Sequence, residues 1–261
     1  MKSIRFMLVI ILLLAPIGPS IAAAQGAPVT VVLTANMVTS AIDIEAAINQ
    51  ATEYGTRPGV VIFDGHGGPF VYAPEAEDVD INIFVSHLTL RGVNNAKLQG
   101  GGVTFDGMDL SNITIENLWV ICPADCITSP EGQHINITVR HNRIEAPNFG
   151  IAVGPKADGW LVDHNRITSG NIAVQLLSTT RIKVINNQLS AAALGITLEG
   201  TAQGNLIIAN QIRDVHEAGI ALGEETWANK VHANQVTCAH DAPTCVVVDD
   251  LGIDNQVQGN R

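Results

Sequence analysis

Through the second half of this chain, short runs of alternating aliphatic and polar residues are punctuated by a polar bend at near-constant intervals. In Ile137-Thr138-Val139-Arg140-His141-Asn142-Arg143-Ile144, Ile137 and Val139 share one face of a strand, Asn142 marks the bend, and Ile144 begins a second inward stretch. The bend recurs as Asn165, Asn187, Asn210, Asn234 and Asn260, spaced by 22 to 26 residues, and each asparagine up to Asn234 is followed two positions later by Ile or an equivalent aliphatic. A second mark runs in phase, in Gly150-Ile151-Ala152-Val153, Asn171-Ile172-Ala173-Val174, Gly195-Ile196-Thr197-Leu198, Gly219-Ile220-Ala221-Leu222 and Cys245-Val246-Val247-Val248. Its first residue is expected to turn the chain at positive φ, which glycine and then asparagine tolerate best.

A fixed period of this kind predicts a solenoid. Each coil carries two or three short strands and no helix, so the fold class is an all-β parallel β-helix of roughly eight coils. Asparagines aligned from coil to coil would form an amide ladder at a buried corner. The leucine-rich repeat also sets an asparagine before an aliphatic, but these coils lack its L-x-x-L-x-L run. Earlier coils are visible at His87–Gly92, Gly102–Phe105, Asn112–Ile115 and Cys126–Thr128. Ahead of them Ser40 and Asp43 form a capping box, and Ile44, Ala47, Ile48 and Ala51 share a face that ends at Gly55. A capping helix over 41–54 follows, closing the first coil's unpaired strand edges.

The opening Asp43–Ala51 helix, the Pro58–Phe63 run and Leu88–Gly92 resemble the start of the pectin-lyase-like superfamily. The later coils are similar to the right-handed β-helix repeats of its carbohydrate-binding and sugar-hydrolase group, which implies a right-handed parallel β-helix, and the resemblance covers nearly the whole chain after the leader. It implies a protein that binds or processes a polysaccharide on an outward sheet face. An enzyme of this kind would be a polysaccharide lyase or glycoside hydrolase. The superfamily's polygalacturonase motifs are not carried over, because Gly65-His66-Gly67 and Arg181-Ile182-Lys183 stand without the paired aspartates between them.

Composition narrows the setting. Lys2 and Arg5, an apolar run from Met7 to Ala15, and Ala22-Ala23-Ala24 make 1–24 a secretory signal peptide, with 25–59 as N-terminal strand and capping helix and 60–261 as β-helix. Secretion or periplasmic placement follows, with no membrane span. Losing two positive charges would take the net charge from −11 to −13. So acidic a chain repels nucleic acid, and meets a polyanion through a bridging cation such as Ca²⁺. Export permits disulfides, and the close spacings pair Cys122 with Cys126 and Cys238 with Cys245, each worth about 2 kcal/mol. A four-thiolate metal site would require two pairs roughly 24 Å apart to meet.

Three outward columns carry candidate chemistry. Glu199, Glu224 and Asp249, spaced by 25 residues, are expected to stack as acid/base groups or Ca²⁺ ligands. His216-Glu217 and His240-Asp241 each stand six and seven residues past a ladder asparagine, a metal-binding set of two imidazoles and two carboxylates. His141, His164, Arg143 and Arg166 form a basic patch suited to an anionic sugar, against the alternative of an ordinary surface with an Arg140–Asp163 cross-coil pair. The competing reading of each column is a solvated turn edge. Two further functions stay open: a non-catalytic structural or adhesive surface solenoid that self-associates through an uncapped C-terminal coil, and a periplasmic metal-handling protein similar to β-helix proteins that assist copper-enzyme maturation.

Overall fold

A computed structural model of the protein describes residues 27–72, 80–242 and 244–261. The 1–24 leader lies outside the described residues. Three parallel sheets, of ten, eight and eight strands, run the length of the molecule. One coil illustrates the path: Leu161–Asp163 in the first sheet, Arg166–Ser169 in the second, Ile172–Leu177 in the third. Each strand pairs in register with its counterparts in the coils before and after. The chain is a right-handed parallel β-helix of about eight turns, as a right-twisted strand returning to the same parallel sheet requires.

The core is three aliphatic columns, one per sheet. Ile115, Val139, Val162, Val184, Ile207 and Val231 stack in the first sheet, all fully buried. Val120, Ile144, Ile167, Leu189 and Ile212 stack in the second. Val103, Ile127, Ile151, Val174, Ile196 and Ile220 stack in the third. Most are β-branched, which suits a pleated surface packed against identical neighbours. Alternation read along one coil thus becomes continuity read across coils.

The in-phase glycines differ from expectation. Gly150, Gly195 and Gly219 lie inside strands of the third sheet, and none has positive φ. A Cβ on Gly150 would sit 2.3 Å from Ile167 Cγ2 and 2.7 Å from the Ala173 carbonyl, so close approach selects glycine there. Register also moves the column: Phe149 pairs with Ile172 and Ile151 with Val174, which sets Ala173, not Asn171, beside Gly150. Asn171 instead donates its side-chain amide to Asn148 Oδ1 at 3.2 Å.

Positive φ belongs to the residue just before each ladder asparagine: His141, His164, Asn186, Ala209, Ala233 and Gly259, at 52 to 65°. This left-handed kink turns the corner between the first and second sheets. The ladder then satisfies the corner. Asn187 Oδ1 accepts from the backbone N–H and the side-chain amide of Asn165, at 2.8 and 3.1 Å, while Asn187 Nδ2 donates to Asn210 Oδ1 and to the Val162 carbonyl. The same pattern runs from Leu118, whose N–H donates to Asn142 Oδ1, to Asn260. A second ladder, Asn205, Asn229 and Asn255, occupies the corner before the first sheet. Its signal was present in the sequence, since each member stands five residues ahead of Asn210, Asn234 or Asn260.

The N-terminal helix spans Ala41–Thr52, shorter than predicted because Glu53, Tyr54 and Gly55 all take left-handed φ. Asp43 accepts from the Thr39 and Ser40 amides at 2.7 and 3.0 Å, and these bonds hold its carboxyl below the usual range. Ile44, Ala47, Ile48 and Ala51 are buried against the first strands. Glu45 accepts from the Asn82 amide at 2.8 Å, satisfying a donor on the third sheet's first strand, Ile81–Ile83. Both disulfides form as the spacings indicate, Cys122–Cys126 within the core and Cys238–Cys245 around a surface loop.

The ladder makes a sharp prediction. Asn187→Ala leaves buried donors and acceptors on two neighbouring coils unsatisfied and should cost on the order of 3 kcal/mol or more, since each such group costs about 1–3 kcal/mol. Asn260→Ala, at the less buried end, should cost less than half of that. Urea unfolding of the two variants beside wild type measures both, and equal losses would refute a cumulative ladder.

Candidate functional site

The outward face of the second sheet carries one unbroken row. Lys97, Trp119, Arg143, Arg166, Gln188, Gln211 and Gln235 are register partners in consecutive coils. Strand spacing sets their backbones about 4.8 Å apart, roughly 29 Å from end to end. Lys97 Nζ and the Arg143 guanidinium both lie over the Trp119 ring, at 4.5 and 4.0 Å. Glu145 ties the cluster together by accepting from Arg143 at 2.6 Å and from the Trp119 indole N–H at 3.2 Å. Arg143 is therefore charge-compensated and stacked. Arg166 has no ion-pair partner among the described residues.

Beside this row, the left-handed corner projects His141 and His164 outward. Their rings lie 5.2 Å apart, tilted by 34°, and Asp163 holds His164 Nδ1 at 2.6 Å. Arg140 and Asp163 are register partners as expected but form no ion pair. It donates to Glu116, at 2.8 Å from Nε and 2.6 Å from the terminal nitrogen, and Arg91 donates to the other oxygen. Glu116 is 4% exposed. Burial pushes its pKa upward, but the hydrogen bonds and charges of Arg140 and Arg91 outweigh this and leave it lowered.

The acidic residues do not stack. Glu199 pairs with Leu177 and accepts from Gln175 Nε2 at 3.2 Å, whereas Asp249 pairs with Ala221, two positions earlier along the strand. Glu224 lies in the turn beyond Leu222. The physical reason is coil length: Leu194 to Ala218 spans 24 residues and Ala218 to Val246 spans 28, so a uniform 25-residue spacing cannot stay on one row.

The histidine column shifts similarly. A bulge at Asp214 moves the register between Arg213 and Val215, and Val215 pairs with Cys238. His216 meets Asp241 at 3.1 Å and the Ala192 carbonyl at 2.7 Å, which engages both ring nitrogens. His240 and Glu217 make no ion pair with them. Among the described residues no three His, Cys, Asp or Glu side chains converge on one point, and all four cysteines are disulfide-bonded. This donor set does not fit a resident metal centre of three or four ligands.

Sequence reasoning passed over Glu116 and two further features. Arg213, two coils from Arg166 on the same face, is apparent only once register is known. Asp64, His66 and Asn94 form a compact surface cluster, with Asp64 2.8 Å from His66 Nδ1 and 2.9 Å from Asn94 Nδ2. The Asn94 and His66 hydrogen bonds hold the Asp64 carboxyl below its usual range.

Comparison with known proteins places this geometry in context. A family model described as "Periplasmic copper-binding protein (NosD)" matches residues 89–238. No curated protein matches the chain. Among solved structures, a mutant of the periplasmic alginate epimerase AlgG shares 10% identity over 78% of this chain and 75% of that one, at a TM-score of 0.47. The Azotobacter vinelandii mannuronan C-5 epimerase AlgE6 A-module shares 12% over 84% and 76%, at 0.47. ORF18 of Geobacillus virus E2 shares 12% over 86% and 61%, at 0.40. No helix among the described residues is long and apolar enough to cross a membrane.

Glu116 yields a prediction with a definite sign. Its folded pKa is depressed, so its contribution is complete above the unfolded value of about 4.3 and is lost as pH falls through the folded value. Glu116→Gln should cost about 1–2 kcal/mol at pH 7 and flatten the fall in stability below about pH 4.3. Denaturant midpoints from pH 7 to pH 3 provide the check; parallel curves for the two proteins would contradict the assignment.

Proposed function

We infer what this chain does from one premise: it belongs to the family described as periplasmic copper-binding protein (NosD). On that β-helix scaffold we propose an extracytoplasmic protein that binds an extended polysaccharide along the outward face of its second sheet. The observation that carries the reading is the row from Lys97 to Gln235, which offers hydrogen-bonding or cationic side chains in seven consecutive coils. Amide, hydroxyl and guanidinium groups at constant pitch match a polymer of hydroxyl-bearing rings better than a compact ligand. A second row, with Glu145, Thr168, Ser190, Arg213 and Thr237, widens the polar face. His141 and His164 extend it around the corner. The reading is of a binding surface, because Glu199 and Asp249 stand on separate rows of the third sheet and Glu224 lies in a turn beyond it.

A second reading takes copper as cargo rather than as a resident cofactor. It rests on the family's description and on the facing imidazoles of His141 and His164, the latter oriented by Asp163 as metal-binding histidines commonly are. Glu199, Glu224, Asp249, His216, Glu217, His240 and Asp241 remain candidates for Ca²⁺ or another divalent ion singly or in pairs, not as the stacked columns their spacing suggested.

Two measurements separate these readings. On a glycan array the full chain should bind at least one class of extended polysaccharide, and Gln188→Ala/Gln211→Ala should weaken that binding about tenfold, the equivalent of two neutral hydrogen bonds. No binding to any glycan, or unchanged affinity in the double variant, would sink the polysaccharide reading. Calorimetric titration with Cu²⁺ should show binding that His141→Ala/His164→Ala abolishes if copper is cargo; absence of heat in wild type removes that reading.

A further inference from the structure

We infer that a shallow basin on the second sheet, between Arg166 and Arg213, is a subsite for one anionic group, a carboxylate or sulfate, borne on a sugar ring. The inference rests on the reading of this face as a glycan-binding surface and adds the charge of the ligand and the residues that select it.

The basin has a volume of about 200 Å³, and its polar lining is Arg166, Thr168, Gln188, Ser190, Gln211, Arg213 and Asp214. That is smaller than the pockets that enclose a drug-sized ligand, so it suits one unit of a chain that continues along the face. Register fixes the layout. Arg166, Gln188 and Gln211 occupy one row in consecutive coils, and Thr168, Ser190 and Arg213 occupy the next. The two arginines therefore stand at diagonal corners, two coils and two residues apart, with their backbones about 12 Å from each other. Between them lies a floor of amides and hydroxyls.

Charge makes the basin unusual for this protein. Eight arginines lie in the described residues, and five of them, Arg57, Arg91, Arg140, Arg143 and Arg181, are ion-paired with a carboxylate. Of the three without an ion pair among the described residues, two share this one basin. Arg166 makes no side-chain hydrogen bond there, and Arg213 makes one long contact, 3.4 Å to Gln211 Oε1. The nearest acid, Asp214, is engaged by the Ser190 hydroxyl at 3.1 Å. On a chain of net charge −11, where nearly every other arginine is neutralised, two guanidiniums without an ion pair line the same space as a single carboxylate, leaving it net positive. Guanidinium presents paired donors that match a carboxylate or sulfate edge, and the polar floor matches ring hydroxyls. The same charges exclude a bare metal cation.

The test compares wild type with Arg166→Gln/Arg213→Gln and Arg166→Lys/Arg213→Lys by calorimetry. The probes are a neutral oligosaccharide, its carboxylated and sulfated counterparts, and inorganic sulfate alone. Wild type should bind an anionic oligosaccharide at least tenfold tighter than the neutral one, with affinity falling as salt rises. The glutamine variant should lose that preference, binding the anionic and neutral probes within about twofold of each other, and the lysine variant should recover part of it. Both arginines are exposed, so melting temperatures should stay at the wild-type value. Equal affinity for neutral and anionic glycans in wild type and the glutamine variant would overturn the anionic subsite and leave the glycan-binding face standing. Inorganic sulfate binding as tightly as the sulfated glycan would assign the basin to a free anion and overturn the proposal. Binding of no probe at all would remove both readings.

Discussion

A parallel β-helix has to turn its chain at every corner without leaving backbone donors stranded inside the stack, and nearly everything else in this protein depends on how that is done. Here a left-handed residue makes the turn and an asparagine after it repairs the hydrogen bonding. The asparagine's oxygen accepts from the preceding coil, and its amide donates both to the next asparagine and to a carbonyl of the coil before. Because each member satisfies groups on its neighbours, no coil can shift its corner without unpairing two others. Register along the three sheets is then fixed from the corners outward, and with it the three aliphatic columns and the rows on each outer face.

Non-glycine residues at the turning position show how strongly this constraint operates. Ala209 and Ala233 adopt positive φ with no side-chain polar group to help them, and His141 and His164 do so with bulky rings. Left-handed backbone at such residues is strained. It persists because the ladder and both adjoining sheets determine the geometry. One consequence is functional: the two imidazoles are thrust outward at adjacent corners, next to the row of cationic and amide side chains on the second sheet.

What could be read in the sequence was whatever repeats once per coil. The six-asparagine column, the aliphatic residue two places later and the capping helix around Ile44 and Ile48 are all local or strictly periodic, and the structure contains each of them. The disulfides were legible because each closes within a single turn. The outward columns were harder, because equal sequence spacing is not equal register. Glu199, Glu224 and Asp249 keep a 25-residue interval while the coils beneath them take 24 and 28 residues. The bulge at Asp214 likewise carries His216 out of line with His240. Glu116 was missed because its two arginines come from the coils before and after it, an arrangement visible once strands are paired. Arg166 and Arg213 share a basin for the same reason.

The variable coil lengths have an opposite effect on the second sheet. There the extra residues are taken up in turns and in the bulge at Asp214, beyond the row itself, so the row keeps a constant pitch from Lys97 to Gln235. Such a face behaves like type set on a ruled line: each coil contributes one character, and its neighbours hold the spacing. Exchanging Gln188 for a charged residue would move a recognition group one step along the face without disturbing the column of Leu189 behind it. Surface chemistry can therefore be rewritten coil by coil while the corner asparagines stay unchanged, which separates what the scaffold needs from what a ligand reads.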